Sequence, residues 1–167
     1  MRPNEGIFNN ESLRRIEKIE NEILEIDGVN QVLSILDAPI VEQPKVSLSE
    51  IGDNIKYLLD ESIDLQKAKQ EILSNPIYQE LIVSKDGSTT AFQILLDKNE
   101  SYEILIQQRY DLLNSGKQST LLEVNRKINE QNSLIQEKEK RIVAEIRSVI
   151  NNNRDFGVLF LGGPAMI

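Results

Sequence analysis

The chain contains no cysteine, no histidine and no tryptophan. The first two absences exclude thiol nucleophiles, disulfides, ordinary zinc sites and every histidine-based triad or proton relay. They say nothing about compartment, because a chain without cysteine suits the cytosol and an oxidising space equally. Aromatic residues make up only 5%, so a core has to rest on Leu, Ile and Val. No basic stripe exists, which argues against nucleic acid as a partner and against attraction to anionic lipid. No apolar stretch approaches the roughly 20 residues of a membrane helix, and no signal peptide is present. By itself the segment is expected to be soluble and not to span a membrane.

What is there is ordinary in amount and uneven in placement. The 167 residues are 40% hydrophobic and 28% charged, enough for one domain, or one domain plus an extension, with a real core. The net charge of −8 lies wholly in the first part: residues 1–65 hold 14 acids and 6 bases, and residues 66–167 hold 13 of each. The last twelve residues, FGVLFLGGPAMI, begin with an uninterrupted apolar run, Phe156 to Leu161. Such a run predicts a strand buried on both faces. It breaks at Gly162-Gly163-Pro164, a strong turn signal. Domain ends are usually polar and loosely held, so this end reads as a cut, with hydrophobic sequence expected beyond it.

Along the chain, Leu13, Ile16, Ile19, Ile23 and Ile26 recur at helical spacing between charges and predict a helix over 11–26. Asn10 or Ser12 is the expected cap. Gly28 is expected at the left-handed position that stops the helix. Val29 to Leu36 is rich in β-branched residues and reads as a strand, and 38–48, with Pro39 and Pro44, as a loop. Helical spacing returns over 49–74. Two β-like runs, ELIVS and TTAFQILL, flank Lys85-Asp86-Gly87-Ser88, and Asp-Gly between apolar runs predicts a hairpin.

Residues 101–114 read as a helix carrying Tyr102, Leu105, Ile106, Tyr110 and Leu113 on one side. After a break at Ser115-Gly116-Lys117 comes one long polar helix over 119–150, in which Leu121, Ile128, Ile135, Ile142 and Val149 recur every seven residues. The companion positions, Val124, Gln131, Lys138 and Glu145, are mostly polar, too narrow a seam for a long coiled coil. The expectation is an arm lying on residues 101–114 and the body, with the five-residue stripe as a candidate contact for a second copy or an accessory protein. The domain plan is an α+β body over 1–98 and 151–167 with a helical hairpin inserted at 99–150. The remaining order fits a ferredoxin-like, split βαβ body, provided one more strand precedes residue 7. Met1 to Gly6 reads as too short and turn-like to supply it, so the start reads as trimmed too.

Three blocks carry a family likeness. IFNNESLRRIEKIENEILEIDGVNQVLSIL (Ile7 to Leu36) resembles the opening of the first extracytoplasmic domain of RND-superfamily exporters, above all the branch with the mycobacterial large membrane proteins. NPIYQELIVSKDGSTTAFQILLD (Asn75 to Asp97) is similar to their hairpin, and FGVLFLGGPAMI to the segment before their next membrane helix. The blocks come in family order; the stretch from Glu100 to Val149 is longer than the usual connection. The resemblance implies a porter-type subdomain between the first two membrane helices of a proton-driven exporter. It implies as partners the transporter's own membrane helices and second porter domain, a position outside the cytoplasm, and lipids or other hydrophobic molecules as cargo. Proton coupling would lie on ionisable residues within membrane helices, outside this chain.

Nothing in the sequence nominates an active site. Asp60, Glu61 and Asp64 cluster at helical spacing, but Ca²⁺ wants six to eight oxygens on a presenting loop, and a solvated acidic face is the plainer reading. Gly162-Gly163-Pro164 lacks the Lys-Ser/Thr ending of a phosphate loop and reads as a turn, as does Asp86-Gly87. The Asn10 and Asn99 sequons read as incidental, and the hydroxyls of SKDGSTT have no base beside them. No cofactor is implied and an enzyme is not expected. The rival to the exporter domain is a free-standing helical adaptor acting through the 119–150 helix.

Overall fold

A computed structural model describes residues 1–43, 55–79, 82–115 and 118–162. Its elements run β1 (Arg2–Pro3), α1 (Asn10–Leu24), β2 (Val29–Leu33), a 3₁₀ turn (Ile35–Asp37), α2 (Leu65–Ser74), β3 (Gln93–Leu96), α3 (Glu100–Ser115), α4 (Gln118–Asn152) and β4 (Gly157–Val158). The described residues are thus mixed α+β, with four helices and two small antiparallel sheets.

The strands do not join into the one sheet that a β-α-β-β-α-β order implies. β1 pairs with β4 and β2 pairs with β3, each as a separate two-stranded ribbon. One expectation changes with this: Met1 to Gly6 supplies a strand after all, and the C-terminal strand pairs with it. The close approach needs glycine at 157: it has φ +156°, and a Cβ there would run into the Arg2 carbonyl. The run Phe156 to Leu161 is not a two-faced buried strand either. Only Gly157 and Val158 pair, and Val158 and Phe160 are exposed.

α1 is the common wall of two apolar clusters. Leu13 and Ile16 pack with Ile7, Ile35, Ile40, Leu58, Ala68 and Ile72. One to two turns later, Ile19 and Ile23 pack with Ile26, Val32, Ile142 and Ile146. Each such side chain contributes about 1.5–3 kcal/mol by leaving water. Asn9, not Asn10 or Ser12, caps α1: its Oδ1 accepts from Ser12 N at 2.8 Å. The helix ends at Leu24, so Gly28 (φ +97°) is not its stop but lies in the turn after it. The strand that follows stops at Leu33, because Ser34 opens a capping box with Asp37 and starts the 3₁₀ turn.

Helical spacing over 49–74 overstates the second helix, of which residues 49–54 lie outside the described residues. Ile55 to Asp64 is not helical, and α2 begins at Leu65. Two aspartates decide this. Asp60 Oδ2 accepts from Tyr57 N at 2.6 Å, closing a turn, and Asp64 Oδ1 accepts from Gln66 N and Lys67 N, making itself the N-cap. The Asp-Gly hairpin is likewise smaller than expected. Val83 bridges Thr90 around a turn closed by Ser84 and Gly87, but β3 then leaves to pair with β2. Glu80 and Leu81 lie outside the described residues.

α3 and α4 form an antiparallel hairpin, with Asn99 meeting Gln131 at the base and Tyr102, Leu105 and Leu112 turned inward. Ile106, Tyr110 and Leu113, expected on the same side, are exposed instead. α4 is 35 residues, about 52 Å long. Its second half does not stand clear as an arm. From Lys138 onward it lies on the body, with Arg141 bound to Asp27, Lys138 to Asp97, and Ile142 and Ile146 in the second cluster.

Candidate functional site

A cleft of about 1000 Å³ opens between α1, β3, α4 and the strand-end segment 159–162. At Gly28 α4 touches the turn after α1, with Lys138 and Ile142 against the glycine, and Ile142 and Ile146 cluster with Ile19 and Ile23 of α1.

The floor is made by Ile19 and Ile23 of α1 with Ile142 and Ile146 of α4, and one wall by Phe92, Ile94 and Leu96. Val143 and Ile150 form the opposite wall, and Leu159, Phe160 and Leu161 the lip. Phe160 is 83% exposed at that lip, the most exposed large apolar side chain of the described residues. The ionic groups are Glu139, Lys140 and Arg147, both signs together and all from α4. Such a cleft, mostly apolar with a few charged groups, has the make-up of a small-molecule site.

Met1 closes the remaining side. Its carbonyl accepts from Thr90 N at 2.8 Å and its ammonium donates to Thr90 O at 2.5 Å, which sets the Met1 side chain at the cleft. Burial lowers the pKa of that amino group. Among the described residues no group of three or more acids is arranged to hold a metal ion. Asp60 and Asp64 spend their carboxylates on backbone N–H groups, as described. The strongest carboxylate shift belongs to Asp86, lowered to about 2 because the Ser84 hydroxyl and then Ser88 donate to it. It is a turn residue and does not line this cleft.

The sequence-predicted residues fall in different places. Gly28 and Gly87 (φ +68°) take left-handed conformations in turns, Asp86 closes the second of these, and Gly162 lines the cleft. Gly163 and Pro164 lie outside the described residues. Of the stripe, Ile128 and Ile142 are buried and Leu121, Ile135 and Val149 half-buried. The cleft itself was not foreseen. The signal for it was the pair Ile142 and Ile146, one turn apart beside the heptad, which widens the apolar face of α4 at this end alone.

No protein-family model, curated protein or solved structure matches this chain. Among the described residues no helix is long and apolar enough to cross a membrane.

Proposed function

We propose that this chain is an extracytoplasmic porter domain of a proton-driven RND-type exporter, moving a hydrophobic substrate by conformational change. The observation that carries the reading is the apolar cleft, whose walls come from separate elements: α1, β3, α4 and the lip at Phe160. A rocking of α4 against the β2–β3 ribbon would widen or shut it, and such a motion needs no catalytic group in this piece. The three sequence blocks in family order add support. On this reading the exporter's membrane helices and second porter domain are the partners.

The first test is the gene's reading frame on both sides of the segment. An apolar helix of about 20 residues just before residue 1 and another just after Ile167 are expected. A stop codon directly after Ile167 would remove the membrane from the argument. The location is tested separately. Because the chain has no cysteine, a Phe160→Cys variant of the whole transporter should react in intact cells with a membrane-impermeant maleimide. Protection until the cells are lysed would place this segment inside. Deleting Ser101 to Ile150 would not isolate the role of the hairpin, since it removes Ile142 and Ile146 from the core.

A further inference from the structure

α4 is one unbroken helix that belongs to two parts of the molecule. Its first half packs on α3, and from Lys138 onward it lies on the body. Where the two parts meet, it is pinned at the turn after α1. Arg141 pairs there with Asp27 and Lys138 with Asp97, whose own N–H donates to the Gly28 carbonyl at 2.9 Å. Gly28 has no Cβ, so Lys138 and Ile142 close directly on its backbone. Past this point the same helix builds the cleft, with Ile142 and Ile146 in the floor and Val143 and Ile150 in one wall. The facing wall ends at Leu96, and only Asp97, Lys98 and Asn99 separate it from the start of α3. The two legs of the hairpin are thus continuous with the two sides of the cleft.

We propose that the α3–α4 hairpin is a lever for the cleft, with the Gly28 turn as its fulcrum. A helix is held stiff by its own ladder of hydrogen bonds, so a tilt at one end appears at the other. With the pivot midway between Lys138 and Ile142, Leu122 lies about 27 Å out on one side and Ile150 about 15 Å on the other. Opening the cleft by about 2 Å at Ile150 then swings Leu122 by about 3–4 Å the opposite way. The pinning groups suit a pivot. Both ion pairs are exposed and made by flexible side chains that follow a rotation at little cost, and glycine places no side chain between the turn and the helix. The coupling is reciprocal: a ligand that spreads the cleft moves the hairpin, and a contact that holds the hairpin changes affinity in the cleft. The lever presupposes the cleft as a ligand site, as in the reading above, but neither a membrane nor an exporter.

The test places spin labels at Lys18→Cys on α1 and Leu122→Cys on the hairpin, both exposed positions in a chain with no cysteine of its own. Their separation is measured in the full chain by pulsed electron paramagnetic resonance, with and without saturating 1-anilinonaphthalene-8-sulfonate, whose binding is followed by its fluorescence. The expected result is a shift of about 3–4 Å in the mean distance. A second variant, Ser133→Gly with Glu137→Gly, softens the helix between hairpin and pivot at two exposed positions. It should keep the probe's Kd within about twofold and lose the shift. A bound probe with unmoved labels overturns the lever and leaves the exporter reading standing. So does a shift that the glycine pair leaves intact. A chain that binds no probe removes the cleft, and the lever and the exporter reading fall together.

Discussion

Arg15 on α1 forks onto the carboxylate of Asp155, with Nη2 at 2.7 and 2.9 Å from its two oxygens, and so ties the first helix to the loop after the last one. The same guanidinium donates through Nε to Asn153 Oδ1 at 3.2 Å, and Asn153 Nδ2 donates to Glu22 Oε2 and to the Val149 carbonyl. The two partners differ in depth: Asn153 is 1% exposed, whereas the Asp155 side chain is 70% exposed. Asn153→Ala should therefore lower stability by about 1–3 kcal/mol, since it strands buried groups. Asp155→Ala should cost only about 0.2–1 kcal/mol, as an exposed ion pair does. Urea unfolding midpoints of the two variants check the ranking, and equal shifts would contradict it.

Gly28 allows α4 to lie directly on the turn after α1. A Cβ at this position would overlap Lys138 Cε and meet Ile142 Cδ1 at 2.8 Å, and φ is +97°. Gly28→Ala should cost about 1–3 kcal/mol, part from crowding and part from backbone strain. The nearer obstacle is the end of a flexible side chain. Lys138→Ala should accordingly recover part of the loss in a double-mutant cycle, leaving the backbone part. Full recovery would mean that the positive φ costs nothing here.

Elements whose pattern is local were legible in the sequence, and those decided at long range were not. α1, α3 and α4 follow from apolar spacing, and the turn at Asp86-Gly87 from its own residues. The helix assigned over 49–74 failed because Asp60 and Asp64 offered their carboxylates to backbone N–H groups ahead of Leu65, a competition that apolar spacing does not register. The pairing of β1 with β4 is set between Arg2 and Val158 at opposite ends of the chain, where no local signal reaches. The cleft needs α1, β3 and α4 at once. In the sequence Ile142 is one more member of a heptad; only the fold shows that it forms the cleft floor with Ile19.

Glu20 and Asp86 titrate with opposite consequences. Burial holds the Glu20 carboxyl above its ordinary value of 4.5, opposed by the Ser34 hydroxyl and reinforced by Asp37 and Glu17. The folded chain binds that proton more tightly than the unfolded one, so ionised Glu20 opposes folding at neutral pH, and the penalty is gone below pH 4.5. Glu20→Gln keeps an acceptor for Ser34 Oγ and should raise the melting temperature at pH 7, the gain vanishing by pH 4. A gain independent of pH would show that charge is not the cause.

Asp86 works the other way. Its pKa is lowered from 3.8 to about 2, so its contribution to stability is present above pH 3.8 and lost as the pH falls to about 2. Asp86→Ala should lower the melting temperature at pH 7 and flatten the acid limb of the stability profile between those two values. Retention of the full acid limb in the variant would assign it to other carboxylates.

The cleft makes a prediction of its own. An apolar fluorophore such as 1-anilinonaphthalene-8-sulfonate should bind the folded chain there, and saturation should raise stability by about 2.7 kcal/mol at a hundredfold excess over Kd. Val143 lines the cleft but is only half-buried, so Val143→Glu places a charge in the wall without emptying the core. The variant should weaken the probe about tenfold or more while melting within a few degrees of the parent. Leu134→Glu, on the exposed hairpin, is the matched control, since it removes equal apolar character away from the cleft. Were both variants to lose the probe equally, the fluorescence would report general surface hydrophobicity. The exporter reading would then lose the observation that carries it.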